Sequence, residues 1–253
     1  MTKSHRYFME FSFVGTNYHG WQLQKNAHSV QAEVNTALST LFQEEISCIG
    51  CGRTDTGVHA RQFFAHFDTK KEGKKEDLNK WAFQVNCLLP KDIGVMRIIS
   101  VNNDAHARFD AYSRTYEYHI IRKKDPFKEN FACFLYGALD VDKMNKAAEI
   151  LMEHTDFSCF SKSRTQVKTN ECEVTYAKWK TDKDKNLVFT ITANRFLRGM
   201  VRAIVGTLVD IGQGKLQVED FNKIIEGKKR SAAGESMPAC GLYLTDIKYK
   251  YIK

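Results

Sequence analysis

The sequence lacks the features that would place the chain in a membrane or in an oxidising compartment. No apolar run reaches about 18 residues, the length that a membrane-spanning helix requires. The opening segment, MTKSHRYFMEFSFVG, alternates in polarity and contains neither the apolar run nor the cleavage site of a signal peptide. The seven cysteines are odd in number and have no disulfide-framework spacing. We therefore expect a cytoplasmic protein with reduced thiols.

Motifs of several enzyme classes are also missing. The sequence contains no P-loop, no G-x-S-x-G and no His/Glu cluster with metal-ligand spacing, which argues against a phosphotransferase or a hydrolase. Cys48 and Cys51 form one C-x-x-C, but no second ligand pair follows at a spacing that suits zinc. The segment also resembles a strand entering a glycine-rich turn, whereas a thioredoxin-like motif opens a helix. We interpret these cysteines as incidental thiols and expect no metal ion, nucleotide or redox cofactor.

What the sequence does contain is an excess of positive charge. Thirty-eight Lys and Arg against 30 Asp and Glu leave a net charge of +8. Such a charge favours encounter with phosphate-rich partners, although solubility alone also explains it. With 43% hydrophobic and 12% aromatic residues, the 253-residue chain has the composition of one large globular domain or two of ordinary size.

Hydrophobic periodicity predicts the elements of the first half of the chain. A helix is expected to begin at Asp77 as its N-cap and to end before Pro90. The predicted order is β-α-β-β-α-β, with strands at 7–14, 46–49, 61–68 and 94–101 and helices at 30–42 and 77–88.

The second half repeats this rhythm. Strands are predicted at 114–122, 173–180, 187–193 and 242–249, and helices at 142–152, 196–211 and 218–225. We therefore predict an α+β fold of two ferredoxin-like halves, residues 1–104 and 105–253. Their antiparallel sheets are expected to form one continuous sheet with helices on one face and a central cleft for a ligand.

The segment GRTDTGVHA, between the second and third predicted strands, is the densest in chemically versatile side chains. Its two glycines flank Asp55 and permit a tight backbone that would hold the carboxylate above the sheet. An aspartate held in this way beside Arg53 and His59 suits nucleophilic or acid/base work. Taken alone, however, the segment fits a polar hairpin turn better, because aspartate-containing turns are very common.

The same segment resembles the signature of the tRNA pseudouridine synthase A family, in which the aspartate is the essential catalytic residue. Val14 stands where members of the family usually have aspartate. Further segments resemble family signatures in the right order along nearly the whole chain: GTNYHGWQ with SVQ, NCLLPKDI, ARFDA with RTY, FSCF, FLRGMVRAIVG and PACGLYL. The intervening SKSRTQVKTNE, residues 161–171, is less typical and is interpreted as a variable RNA-facing loop.

This resemblance implies an isomerase that converts uridines 38, 39 and 40 of the tRNA anticodon stem-loop to pseudouridine. It also implies a homodimer that acts in the cytoplasm without a cofactor. Asp55 is then the catalytic residue, Tyr116 stacks on the target uracil, and Arg202 supplies a permanent positive charge to the active site. The predicted substrate-binding residues are Arg53, His59, Arg114 and Tyr116.

The residues alone leave other interpretations open. Tyr116 also suits packing within a strand, Arg202 suits a surface position on an amphipathic helix, and Arg53 suits a phosphate contact instead of filling the space of a flipped base. A non-catalytic RNA-binding module is a further alternative, because ferredoxin-like sheets often bind RNA by stacking. The segment RQFF, residues 61–64, resembles the aromatic motif of such modules only loosely.

Overall fold

The structure is a computed structural model that describes residues 4–162 and 169–252. The loop predicted to face RNA, residues 161–171, therefore lies largely outside the described residues. Those residues form nine strands and five α-helices, which confirms the predicted α+β class. In chain order they are β1 His5–Phe13, α1 Val30–Phe42, β2 Ile49–Gly50, β3 His59–Thr69, α2 Lys75–Leu88, β4 Ile93–Ser100, β5 Ser113–Ile121, β6 Cys133–Phe134, α3 Val141–Ile150, β7 Val174–Thr181, β8 Leu187–Ala193, α4 Met200–Gly212, α5 Val218–Gly227 and β9 Leu242–Lys248.

The chain divides into two compact units. The first comprises Met1–Tyr112 with Leu244–Lys253, and the second comprises Ser113–Tyr243. The predicted halves, 1–104 and 105–253, differ from these units because the end of the chain returns to the first. Ile247, which the prediction assigned to the second half, donates its N–H to Gln62 Oε1 of the first unit at 2.7 Å. The ferredoxin-like description, the continuous sheet and the central cleft stay predictions.

In the first unit, β1 lies in the middle of the sheet. It pairs antiparallel with β3 on one side and with β4 on the other, and β9 lies beside β3. The alternation of β1 places Phe11 opposite Phe63 on β3, and both rings are fully buried, with centroids 5.3 Å apart. The order β1-α1-β2-β3-α2-β4 confirms the predicted one, and this arrangement places the GRTDTGVHA segment at the start of β3.

The second predicted strand, 46–49, is largely wrong, because only its last residue belongs to β2. Side chains of α1 bind the backbone of the residues just before β2 instead. Ile46 N–H donates to Ser39 Oγ at 2.9 Å. Cys48 N–H donates to Asn35 Oδ1 at 3.0 Å. These acceptors satisfy backbone groups that would otherwise need a neighbouring strand.

The second helix begins earlier than predicted. Its N-cap is Lys74, and Asp77 occupies the third helical position, so the prediction of Asp77 as N-cap is wrong. The Asp77 carboxylate accepts from Lys74 N–H at 2.9 Å. A carboxylate can bind a free N–H group of the first turn both from the N-cap and from the third helical position. The sequence therefore indicates the start of the helix only to within one turn.

In the second unit, β8 pairs antiparallel with β5 on one side and with β7 on the other. The two-residue strand β6 pairs with β5 in parallel, so the prediction of a purely antiparallel sheet is wrong at this edge. The connection between them contains the short turn Pro126–Lys128 and is long enough to bring the chain back in the same direction.

The apolar helix α4 begins four residues later than predicted. Gly199 precedes it with a φ of +73°, a left-handed conformation that glycine adopts easily and that separates residues 196–198 from the helix. Most residues of α4 are buried. Even so, no helix within residues 4–162 and 169–252 has the length and apolar character needed to cross a membrane.

Candidate active site

The loop between β2 and β3 holds Asp55 against the segment that follows β1. Thr54 is buried, and its Oγ1 accepts from Trp21 N–H at 3.1 Å. Gly20 has a φ of +84°, and a Cβ atom there would lie 2.2 Å from the carbonyl oxygen of Thr54. The two backbones therefore approach as closely as they do because residue 20 is glycine. Thr54 faces inward while the neighbouring Asp55 is half-buried.

A second close approach fixes the other end of the loop. A Cβ atom on Gly15 would lie 2.0 Å from the carbonyl oxygen of Val58, so this position also requires glycine. Gly57, which has a φ of +79°, donates its N–H to the carbonyl oxygen of Tyr18 at 3.2 Å. Val58 N–H donates to the Asp55 carbonyl oxygen at 3.2 Å and closes a turn around the aspartate. The loop is thus held by backbone contacts on both sides of Asp55.

His59 lies inside this framework. Its side chain is 1% exposed, and Nδ1 accepts from Gly15 N–H at 3.1 Å. An acceptor at Nδ1 requires the neutral tautomer with its proton on Nε2. This placement favours a supporting role for His59 over the direct substrate contact that the sequence predicts.

Tyr18 ties the same framework to β4. Its hydroxyl donates to Asp92 Oδ1 at 2.6 Å, just before β4 begins. Burial raises the pKa of Tyr18, and the Asp92 carboxylate raises it further. The phenol therefore stays protonated and keeps donating throughout the physiological range, which makes it a permanent support of the loop.

Arg53 points away from the interior. It is exposed, and its side chain makes no hydrogen bond or ion pair with the residues that the structure describes. It lines a cavity of about 200 Å³ whose walls also include Trp21, Gln22, Gln31, Ile49, Gly50, Gly52 and Arg108. Arg108 belongs to the ARFDA motif, which resembles a family signature, but nothing in the sequence singles out its arginine as a site residue.

Two of the predicted residues lie on β5 in the second unit. Arg114 is half-buried and donates from a terminal guanidinium nitrogen to the Asn194 carbonyl oxygen at 2.7 Å. Tyr116 is half-buried, lies opposite Ile191 of β8, and meets the Phe196 ring edge-on with centroids 5.1 Å apart. The Tyr116 ring is therefore braced by an aromatic neighbour while part of it faces solvent.

Arg202 lies in the first turn of α4. Its Nε donates to the Met237 carbonyl oxygen at 2.5 Å, and Met237 N–H donates to the Arg202 carbonyl oxygen at 3.1 Å. The neighbouring Val201 and Ala203 are buried, which restricts the directions open to the aliphatic part of the Arg202 side chain. The sequence also allowed an exposed position for Arg202 on an amphipathic helix. In the structure, the side chain is half-buried instead.

Tyr118, two residues beyond Tyr116 on the same strand, has a structural role. It is fully buried, and its hydroxyl donates to the Pro238 carbonyl oxygen at 2.7 Å. Burial raises its pKa strongly, so it stays a donor. Tyr118 thereby anchors the PACG segment that follows Met237, the partner of Arg202.

Cys48 and Cys51 behave as buried thiols. Cys48 Sγ donates to Asn35 Oδ1 at 2.9 Å, and burial raises the pKa of this thiol to about 12. A thiol with so high a pKa is protonated at neutral pH and is a poor nucleophile. Over residues 4–162 and 169–252, no three His, Cys, Asp or Glu side chains form a group that could hold a metal ion.

The structure thus groups the predicted residues within each unit. In the first unit, Arg53 and Asp55 lie in the loop between β2 and β3, and His59 is the first residue of β3. The second unit carries the predicted residues of β5 and α4, which are Arg114, Tyr116 and Arg202. The framework residues Gly15, Gly20 and Thr54 were not chosen from the sequence. Their one sequence signal is that both glycines lie in GTNYHGWQ and that Thr54 lies in GRTDTGVHA.

A family model and the similar proteins give the same description. A family model described as tRNA pseudouridine synthase matches residues 147–250. A protein of Bacteroides fragilis described as tRNA pseudouridine synthase A is 48% identical, with 96% of each chain covered. Proteins of the same description from Bacteroides thetaiotaomicron and Caldicellulosiruptor bescii are 49% and 37% identical, covering 96% and 95% of this chain and 90% and 98% of their own. A likeness to a solved 3-hydroxy-3-methylglutaryl-coenzyme A reductase of Streptococcus pneumoniae, with a TM-score of 0.24 and 10% identity over 91% of this chain and 69% of that one, carries no argument.

The relatives span the whole loop framework as well as the second unit. Identity close to one half over nearly the full length is far above the level at which related chains share a family. On this ground, the chain belongs to the tRNA pseudouridine synthase A family.

Proposed function

We propose that this protein converts uridine to pseudouridine at positions 38, 39 and 40 of the tRNA anticodon stem-loop, with Asp55 as the catalytic residue. The observation that carries the proposal is the loop around Asp55, which backbone contacts from the segment after β1 hold on both sides. Preorganisation of this kind is what a catalytic carboxylate requires, and an ordinary polar turn does not need it. Family membership supports the reaction class.

The reaction needs little more than a well-placed carboxylate. The C1′–N1 glycosidic bond breaks, the uracil turns, and its C5 joins the same sugar carbon, while C5 loses a proton and N1 gains one. A carboxylate serves such a sequence as a nucleophile towards C1′ or as a group that stabilises charge and moves a proton. The atoms and electrons of the product equal those of the substrate, so no external oxidant, reductant or group donor enters.

A uridine within a stem must leave the base stack before Asp55 can reach it. Extrusion of one base costs a few kcal/mol, and a side chain that fills the vacated space offsets part of this cost. We assign this role to Arg53, because it is exposed, lies two residues before Asp55 and has no polar partner that holds it elsewhere in the described part of the chain.

Tyr116 and Arg202 complete the proposal with supporting roles. A half-buried ring braced edge-on by Phe196 offers a face on which a uracil can stack. Arg202 stays charged at any physiological pH, and its bond to the Met237 carbonyl fixes the direction of that charge. Arg114, held on the backbone of Asn194, is proposed as a contact to the RNA backbone.

Action at three neighbouring positions constrains how the RNA is recognised. Nucleotides 38, 39 and 40 differ in rotation and height along the stem, so a site that read flanking base edges would not serve all three. Contacts to phosphates hold a stem by shape and allow it to shift. The net charge of +8 suits this mode, and we propose that the enzyme acts in the cytoplasm as a homodimer.

The test uses three tRNAs that carry a single uridine in the anticodon arm, at position 38, 39 or 40, with the flanking base pairs exchanged in a matched set. We expect pseudouridine in all three and little effect of the exchange. Modification confined to one position, or abolished by the exchange, would show that the enzyme reads sequence. RNA binding without any product would instead indicate a non-catalytic RNA-binding module.

A further inference from the structure

Residues 105–111 form a short segment of the first unit, here called the Phe109 segment, that is held unusually firmly for a loop. Its three alanines are buried. The His106 N–H donates to Asp110 Oδ2 at 2.7 Å, and the Asp110 N–H donates back to the His106 carbonyl oxygen at 3.0 Å. These reciprocal bonds close the turn that carries Arg108 and Phe109.

Two histidines act as hydrogen-bond acceptors inside this turn. His66 of β3 is 3% exposed, and its Nδ1 accepts from Ala107 N–H at 3.1 Å. His106 Nδ1 accepts from Arg108 N–H at 3.1 Å and from Phe109 N–H at 3.3 Å. Both rings must be neutral at Nδ1 to accept, so the turn is built on uncharged imidazoles.

The end of the chain and β1 secure the same segment from other directions. Tyr249 OH donates to the Ala107 carbonyl oxygen at 2.6 Å, and Tyr251 OH donates to Asp110 Oδ2 at 2.7 Å. Arg6 donates to the Ala105 carbonyl oxygen at 3.0 Å. Since each bond fixes a backbone or carboxylate group, the direction in which residue 109 projects is determined in advance.

This rigid turn presents an aromatic ring to solvent. Phe109 is 74% exposed, although an apolar ring gains by burial. Its ring leans on His106, with centroids 4.3 Å apart and planes at 35°, and the Arg108 guanidinium carbon lies 5.6 Å from its centroid. One side of the ring is thus supported, and most of its surface stays open.

Arg108, which lies beside Phe109, also connects this turn to a cavity that carries a second arginine. Arg108 lines the same cavity of about 200 Å³ as Arg53, the residue two positions before Asp55. A guanidinium beside an exposed aromatic ring matches a nucleotide, which offers a planar base for stacking and a phosphate for the positive charge.

We propose that the Phe109 segment is a nucleotide-binding platform, on which Phe109 stacks an unpaired base of the substrate RNA while Arg108 binds the adjoining phosphate. The inference rests on the proposed function for the identity of the RNA. Because Arg108 and Arg53 share one cavity, the bound nucleotide lies close to the target uridine along the strand. His66 and His106 are positioning residues for the platform.

The test measures tRNA affinity and base stacking for variants of the full chain. Phe109→Ala removes the ring, Phe109→Leu keeps apolar bulk without an aromatic face, and Phe109→Trp keeps a face. The matched control is Phe83→Ala, which removes a ring that is 70% exposed on α2. Each protein is titrated into tRNA that carries 2-aminopurine at one position of the anticodon arm at a time, since stacking quenches its fluorescence.

We expect Phe109→Ala and Phe109→Leu to weaken binding by about 5- to 150-fold, the range of a lost base–aromatic stack. Quenching at one position should disappear in both variants and persist in Phe109→Trp and in the control. Equal affinities for Phe109→Ala and the Phe83→Ala control would overturn the platform, and full affinity in Phe109→Leu would exclude stacking.

Failure of the platform and failure of the proposed function give different results. Affinity and quenching need no turnover. A wild-type protein that binds and quenches without forming pseudouridine would contradict the proposed function and leave the platform in place. If the wild-type protein forms pseudouridine but quenching at no position depends on Phe109, the platform is contradicted and the proposed function is retained.

Discussion

Among single residues, the position of the proposed catalytic carboxylate depends on side chains in the interior of the protein. Thr54 is the clearest case, because its hydroxyl accepts the Trp21 N–H inside the protein, next to Asp55. Asp55 is half-buried, and the neighbour that precedes it is fixed inside the protein. The position of the carboxylate is therefore set one residue away from it.

Thr54→Val should loosen the loop with almost no change in volume. The buried Trp21 N–H loses its acceptor, which costs about 1–3 kcal/mol of unfolding free energy. We also expect turnover to fall while tRNA affinity holds. Urea unfolding and initial rates measure both effects, with Thr36→Val on the exposed face of α1 as the control. A Thr54→Val protein with wild-type stability would show that this bond does not hold the loop.

The sequence identified Asp55 itself but not the residues that hold it. Resemblance pointed to the aspartate through a contiguous motif, whereas the contacts of Gly15 and Gly20 with Val58 and Thr54 join parts of the chain some forty residues apart. Neither glycine lies in a hydrophobic pattern that would reveal such a distant partner. Long-range steric requirements of this kind become visible only when the backbone is in place.

At the scale of elements, long periodic segments were predicted well and short ones poorly. The bounds of α1 match the prediction, and β3 extends it by no more than two residues at either end, because thirteen and eleven residues give a clear pattern. By contrast, β2 consists of two residues and β6 of two. Two residues are too few to show a periodic pattern. The sequence therefore does not distinguish such a strand from a loop whose backbone is bound by helix side chains.

The contact between β3 and the Phe109 segment should make stability depend on pH. Burial, together with the nearby Arg6 and His106, lowers the pKa of His66 to about 4, against smaller opposing effects of Asp68 and Asp110. The neutral form is favoured on folding, so its contribution is complete above the ordinary pKa of about 6.5. As the pH falls from there to about 4, we expect to lose about 3 kcal/mol of unfolding free energy.

Urea unfolding between pH 4 and pH 8 measures this loss. His66→Gln keeps a hydrogen-bond acceptor without titrating in this range, so its stability should decline less steeply below pH 6.5. Parallel declines in the wild type and in His66→Gln would assign the acid sensitivity to other groups.

At the scale of the whole molecule, charge predicts how the protein meets RNA. The net charge of +8 arises from lysines and arginines spread along the chain, not from one basic tail. Each phosphate that a cation neutralises releases counterions, so affinity falls as salt rises. A recognition mode based on phosphates therefore has a measurable signature.

We expect the logarithm of tRNA affinity to fall linearly with the logarithm of salt concentration, with a slope of several units. Exchanging base pairs of the stem should leave both affinity and slope nearly unchanged, because backbone contacts carry no sequence information. Fluorescence anisotropy at 50 to 300 mM salt provides the measurement, with tRNAs that differ only in stem sequence as the matched set. A slope near zero, or a large effect of the exchange, would contradict recognition through phosphates.

The proposed chemistry depends above all on the Asp55 carboxylate. The most direct measurement is tritium release from tRNA labelled at uridine C5, made alongside tRNA affinity for the wild type, Asp55→Asn and the charge-matched control Asp142→Asn on α3. Asp55→Asn keeps the shape of the side chain and removes its charge, so we expect wild-type affinity, an unchanged fold and no tritium release, while the control releases tritium like the wild type. Tritium release by Asp55→Asn at a rate comparable with the wild type would contradict the account.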